Sequence, residues 1–166
     1  MANASKKRLV AAEKGERVER RRRGDPVADL QPYAEHEAET RLGMTPLAVG
    51  WLDRRRAFPT GPTSLDFRLR LWGFCREPFV VGQTGAVQPC PVCGQIVQTV
   101  GGGETLVLGS AEIRVIGDTD IYAAPNLIYH YVVEHQYRPP DEFIQAVLTG
   151  PSPDSAEHRA FIRVLR

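Results

Sequence analysis

The pair of cysteines in Cys90-Pro91-Val92-Cys93-Gly94 is the part of the sequence best suited to chemistry. Two thiols separated by two residues suit one tetrahedral metal ion, because the tight turn between them directs both sulfur atoms inward. A glycine directly after the pair lets backbone amides approach the thiolates. The pattern favours a metal-binding turn over a redox pair, since no alternation of strand and helix surrounds it.

Two histidines complete the predicted ligand set. His130 and His135 lie near the end of a stretch that we predict to be helical. Two cysteines followed by two histidines are typical of structural Zn²⁺ sites, including treble-clef-like and zinc-finger-like ones. On an ideal helix the two rings would point about 140° apart, since each residue turns about 100°. Both can reach one ion only if the helix tightens or unwinds at its end, which Pro139-Pro140 favours.

A catalytic ion is the alternative. The segment from His130 to His135 resembles an inverted zinc-protease motif but has one extra residue between its ligands. Four protein ligands also leave no position for the water that hydrolytic sites need. We therefore expect a non-enzymatic protein with a structural Zn²⁺. The alternative is a zinc-dependent hydrolase or deaminase that uses Glu134 or a carboxylate near the metal, and Cys75 is a second candidate for a ligand position.

The segments around these ligands predict a small α+β domain with short elements. β-favouring runs at 96–100, 105–108 and 112–116 are separated by glycines and predict an antiparallel meander packed on helices. Pro125 suits a first helical turn, so we predict a helix over 126–136 that ends before Pro139-Pro140.

Four further helices are predicted from their start and stop signals. A short one covers 33–41, and the last two begin at Pro140 and after Ser155, the former ending at Gly150. Thr63, followed three residues later by an acid, indicates another helix start. The stretch that follows also alternates as a strand would, but Leu65, Leu69, Trp72 and Cys75 recur at helical spacing, and we favour a helix.

The chain divides into a basic flexible tail at 1–25 and a single zinc-binding domain at 26–166, with the metal core at about 86–150. Residues 1–23 hold nine Lys or Arg against three Glu. The candidates for nucleic-acid contact in the tail are Lys6, Lys7, Arg8, Arg20, Arg21, Arg22 and Arg23. A solvated tail is the alternative, because the glutamates dilute the charge and no aromatic residue is present to stack on bases.

Composition restricts the compartment and the partners. No segment has the roughly eighteen consecutive apolar residues that cross a bilayer, and no apolar segment follows the basic residues at the start. Three cysteines do not make a disulfide framework. We expect a soluble, cytoplasmic protein with a protein or nucleic-acid partner, no membrane contact and no small-molecule substrate. His36 and His158 lie in poorly patterned or exposed stretches and are not expected to be ligands.

Several blocks of the sequence together resemble a family of small uncharacterised bacterial proteins. The blocks are Gly50-Trp51-Leu52-Asp53, the cysteine pair, Ala111-Glu112-Ile113-Arg114-Val115, Tyr122-Ala123-Ala124-Pro125, His130-Tyr131, His135 and Tyr137-Arg138-Pro139-Pro140-Asp141-Glu142-Phe143. The resemblance implies a bacterial source, a single structural unit and metal binding at the Cys and His positions. It implies no activity.

Overall fold

The computed structural model describes residues 26–166, which form a small mixed α+β fold with short sheets and helices. The helices are α1 Glu37–Arg41, α2 Leu65–Phe74, α3 Ile128–Glu134, α4 Asp141–Thr149 and α5 Ala156–Leu165. The strands are β1 Leu47–Ala48, β2 Val97–Gly101, β3 Glu104–Leu108, β4 Glu112–Ile116 and β5 Ile121–Pro125. The predicted tail, with its seven basic candidates, lies outside these residues. No helix within 26–166 has the length and apolar character needed to cross a membrane.

The strands form two separate sheets, so the first two runs of the predicted meander pair as expected but the third does not join them. β2 and β3 make an antiparallel hairpin, whereas β4 pairs with β5 in a second sheet of order β1-β5-β4, with β1 parallel to β5. Gly109 separates β3 from β4 with a φ of +102°, and its amide donates to Asn126 Oδ1 instead of continuing the hairpin ladder. Because β4 is buried over most of its length, it needs a covered position that the exposed hairpin does not provide.

Helix α3 is shorter than predicted at both ends. Pro125 ends strand β5 opposite Glu112 rather than opening the helix. The amide of Asn126 donates to the Ala111 carbonyl at 2.9 Å, which extends the pairing beyond the proline. A proline at a strand end costs no ladder hydrogen bond, so this sequence signal fits a strand end as well as a helix start.

The choice of a helix for α2 is confirmed, but its start and its buried face differ from the prediction. Ser64, not Thr63, accepts the amide of Phe67 at 3.1 Å. Leu65 and Leu69, expected on the core side, are each 61% exposed, whereas Phe67, Leu71 and Phe74 are buried. Two apolar stripes at helical spacing run along this segment, and the larger aromatic stripe packs inward.

The remaining helices follow their signals more closely. α4 begins at Asp141 and ends before Gly150, and Ser155 caps α5 by accepting the amide of His158 at 3.2 Å. α1 is shorter than the predicted 33–41, because the amide of Tyr33 bonds to the Pro46 carbonyl and keeps that part of the chain extended.

A buried ion network connects α1 to β4. Arg114, fully buried, donates to both carboxylate oxygens of Glu39 at 2.6 and 3.0 Å and to Glu112 at 2.9 Å. The hydroxyl of Tyr33 donates to the other Glu112 oxygen at 2.9 Å. One guanidinium therefore compensates the charge of two carboxylates, so removing Arg114 is expected to lower the free energy of unfolding strongly.

His158 is fully buried, contrary to the exposed position expected for it. Its Nε2 lies 2.9 Å from the Arg114 carbonyl oxygen and its Nδ1 lies 3.1 Å from that of Pro153. Phe74 and Phe79 approach the ring edge-on. Burial lowers the pKa of His158, and the two carbonyls oppose this shift without reversing it.

We expect Arg114→Met to lower the free energy of unfolding by about 3–5 kcal/mol, because it leaves two buried carboxylates without a cation. Urea denaturation monitored by circular dichroism measures the change. Arg41→Gln is the matched control, since Arg41 and its partner Glu37 are both exposed and the pair is solvated. If both variants unfold at the wild-type midpoint, the Arg114 network contributes nothing to stability.

We expect the neutral form of His158 to stabilise the fold only at higher pH. The ordinary pKa of a histidine is 6.5, so the unfolded chain binds a proton at this ring as the pH falls below that value. The folded ring, whose pKa is lowered, stays neutral at the same pH. The free energy of unfolding of the wild type should therefore fall more steeply than that of His158→Gln between about pH 7.5 and 5.5. Urea titrations at several pH values test this, and equal slopes would contradict it.

Candidate metal centre

The cysteine turn is built by local backbone hydrogen bonds. The amide of Gly94, whose φ is +75°, donates to the Cys90 carbonyl at 2.8 Å. The amide of Cys90 donates in turn to the Gln95 carbonyl at 2.8 Å. Burial raises the pKa of the Cys90 thiol, while the amides of Val92 and Cys93 donate toward the sulfur and oppose that shift. The turn therefore already offers the amide donors that a thiolate at Cys90 would need.

The C-terminal end of α3 brings the histidines together. The helix ends at Glu134, and His135 leaves the helical path with φ −106° and ψ 4°. Gln136 adopts the left-handed φ of 53°, so the amides of His135 and Tyr137 both donate to the Tyr131 carbonyl, at 3.1 and 3.0 Å. The helix thus loses its regular geometry at His135, as the sequence analysis required, and the two imidazole rings converge with their centroids 4.8 Å apart.

All four sequence-predicted ligands meet at one point. Sγ of Cys90 lies 3.4 Å from Nε2 of His135, and Sγ of Cys93 lies 3.5 Å from Nε2 of His130. The two Nε2 atoms are 3.1 Å apart, and the four donor atoms all lie within 4.8 Å of one another. These residues can hold a metal ion.

Two other candidates are not in this cluster. The thiol of Cys75 is buried elsewhere and donates to the Asn126 carbonyl at 3.5 Å. Glu134 is exposed, and no carboxylate belongs to the cluster within residues 26–166. The donor set in the described part of the chain therefore consists of two sulfur and two nitrogen atoms.

The surroundings of His130 favour the neutral form of its ring. Burial lowers the pKa of His130, and the neighbouring His135 lowers it further, so that the neutral ring is preferred. A neutral imidazole is the form that coordinates a metal. Cys90 is fully buried, whereas Cys93 is exposed, so the site has one inner and one outer sulfur.

Asp29 accepts hydrogen bonds from two segments of the chain, at Gly50 and at Tyr137, and the sequence analysis did not identify it. Its Oδ2 accepts the hydroxyl of the buried Tyr137 at 2.8 Å, and its Oδ1 accepts the amide of Gly50 at 2.9 Å. Gly50 has a φ of +75°, and a Cβ there would lie 2.9 Å from Ile128 at the start of α3. A single aspartate in an irregular segment gives no sequence signal that it bonds to a tyrosine 108 residues further along the chain.

An apolar cleft of about 510 Å³ lies beside the cysteine turn. Its walls include Trp51, Leu52, Pro89, Pro91, Leu127 and Tyr131. Pro89 and Pro91 flank Cys90, and Tyr131 lies one residue after His130, so one wall is made by the segments that carry the ligands. The sequence offered no indication of this cleft, because its walls come from distant segments.

The chain belongs to a family described as a domain of unknown function (DUF7919), whose model matches residues 26–148. The match spans all four clustered donors and ends within α4. No curated protein and no solved structure matches the chain. The predicted membership in an uncharacterised family is thereby confirmed, and the description of the family names no activity.

We expect Tyr137→Phe to lower the free energy of unfolding by about 2 kcal/mol, because the hydroxyl bonded to the Asp29 carboxylate is lost in a buried position. Tyr129→Phe is the matched control, since its half-buried hydroxyl has no hydrogen-bond partner in the described structure, and we expect a change below about 0.5 kcal/mol. Urea denaturation measures both. Equal effects of the two variants would show that the hydrogen bond between Tyr137 and Asp29 does not stabilise the fold.

Proposed function

We propose that residues 26–166 form one domain organised by a structural Zn²⁺, and that this domain is a non-enzymatic binding module for another protein. The observation that carries the proposal is the convergence of four donor atoms from two distant segments. In this proposal the ion joins the cysteine turn to the end of α3, and the energy of coordination becomes folding energy.

Three of the six separations between donor atoms match those around a tetrahedral zinc ion. A tetrahedral ion with Zn–S of about 2.3 Å and Zn–N of about 2.05 Å places sulfur and nitrogen about 3.5 Å apart and two nitrogens about 3.3 Å apart. The corresponding separations here are 3.4 and 3.5 Å for sulfur to nitrogen and 3.1 Å for nitrogen to nitrogen. Thiolate with imidazole is also the donor combination typical of zinc.

A structural role is supported by the number and type of donors. Four protein ligands fill a tetrahedral sphere, whereas catalytic sites keep a position for water or substrate. Glu134, the carboxylate named in the hydrolase or deaminase alternative, is exposed and is not among the donors. The order of cysteine turn, hairpin and ligand-bearing helix resembles a treble clef, although β4 and β5 lie between the hairpin and α3.

A protein partner is supported by the charge balance and the cleft. Residues 26–166 carry twelve arginines, no lysine and sixteen acidic residues, a balance that repels phosphate backbones. The apolar cleft beside the ion offers a surface for side chains of a partner. A nucleic-acid contact is confined in this proposal to the basic residues of 1–25, and the protein acts in the cytoplasm.

Metal analysis tests the proposed site. We expect one zinc per chain in the wild type, and loss of that zinc together with a large fall in melting temperature in Cys90→Ser and His130→Ala, because each removes a ligand. Cys75→Ala is the control that keeps its zinc, since its sulfur lies outside the cluster. Purified wild-type protein without metal would refute the proposal. A metal-bearing Glu134→Gln variant that loses a hydrolytic activity of the wild type would favour the catalytic alternative.

Salt-dependent binding tests the partner. Binding of the full chain to generic double-stranded DNA should weaken steeply with salt, and changing Arg20, Arg21, Arg22 and Arg23 to Gln should abolish most of it. Lysate proteins retained on the full chain should be lost when Trp51→Ala alters the cleft. Unchanged DNA binding in a chain that lacks residues 1–25 would place the nucleic-acid contact on residues 26–166 and contradict the protein-partner proposal.

A further inference from the structure

The three thiols of the chain differ sharply in their access to solvent. Cys93 is exposed, Cys90 is fully buried and Cys75 is 4% exposed. Cys75 is also surrounded by apolar side chains, and burial raises its pKa well above the ordinary thiol range. A reagent dissolved in water therefore meets one sulfur atom, that of Cys93, and this sulfur has a second one behind it.

We infer that Cys93 is an oxidation site for hydrogen peroxide or an organic hydroperoxide, that Cys90 resolves it as a disulfide, and that this reaction releases the metal ion. The inference rests on the proposed function, because it concerns the same four ligands. It adds a reactivity and a class of small-molecule reactant to a site whose proposed role is structural.

The chemistry balances with peroxide as the oxidant. The Cys93 thiolate attacks one peroxide oxygen, the O–O bond breaks, and hydroxide leaves as the sulfur becomes a sulfenic acid. The Cys90 thiolate then attacks the Cys93 sulfur, the S–O bond breaks, and a second hydroxide leaves as the disulfide forms. The two thiolates together lose two electrons, which end on the two hydroxides. The metal dication keeps its oxidation state and departs with its charge balanced by them.

The geometry of the turn supports both steps. The outer position of Cys93 admits the oxidant, and the two sulfur atoms lie within 4.8 Å of each other on one turn. The two residues between the cysteines and the left-handed Gly94 keep them close, so disulfide formation needs only a local movement. Cys75 donates to the Asn126 carbonyl and is not part of the cluster, so it does not compete as the resolving thiol.

Oxidation would act on the cleft as well as on the ion. Cys90 and its flanking Pro89 and Pro91 are joined to α3 through the metal, and Tyr131 of α3 forms part of the same cleft. A disulfide removes both sulfur ligands at once, leaving two imidazoles that cannot hold the ion alone. The cleft wall then loses its link to α3, so peroxide would weaken partner binding at this surface.

The test uses the full chain with its metal bound. Zinc content is measured first, and peroxide is then titrated while a chelating dye reports released zinc and mass spectrometry follows the peptides. We expect one zinc released per Cys90–Cys93 disulfide, a loss of two hydrogen atoms from the peptide that contains both cysteines, and a free thiol at Cys75. Dithiothreitol with added zinc should restore the starting state.

Two variants keep the result interpretable. Cys93→His retains four ligands but has no partner for a disulfide, so it should keep its zinc at peroxide concentrations that empty the wild type. Cys75→Ala should respond as the wild type does. Wild-type protein that purifies without zinc refutes the proposed function. Protein that binds zinc and keeps it under peroxide, that forms a disulfide with Cys75, or that stops at oxidised Cys93 without a disulfide overturns this inference alone.

Discussion

The arrangement around the candidate centre depends on the meeting of one tight turn with one unwound helix end. Neither segment can form a site by itself, because each supplies two donors and a structural ion needs four. The turn is fixed locally by amides that donate to the carbonyls of Cys90 and Gln95. The helix end is fixed by the doubly accepting Tyr131 carbonyl and, one residue beyond His135, by left-handed Gln136. Their meeting is the constraint that positions the cleft wall as well.

The second constraint is the buried ion network of Arg114. The buried Arg114 compensates Glu39 of α1 and Glu112 of β4, and its carbonyl faces His158 of α5. This network connects α1 and α5 to the three-stranded sheet through side chains and backbone alone. The chain thus combines an ionic network centred on β4 with a donor cluster whose histidines follow β5 along the chain.

The sequence predicted the donor set because spacing, residue type and helix-ending prolines all act locally. The ends of α4 and α5 were also predictable, since Gly150 and Ser155 are strong local signals. The division of the strands into two sheets was not, because pairing between β1 and β5 joins residues 75 positions apart. The roles of Asp29 and His158 were not predictable for the same reason. Their partners, Tyr137 and Arg114, lie in distant segments that no local pattern connects to them.

The parallel pairing of β1 with β5 has a kinetic consequence. Leu47 must find Tyr122, 75 positions further along the chain, before the three-stranded sheet is complete, and closing so long a loop is slow. β4 and β5 are neighbours along the chain and can pair without this search, so β1 is expected to join the sheet after them.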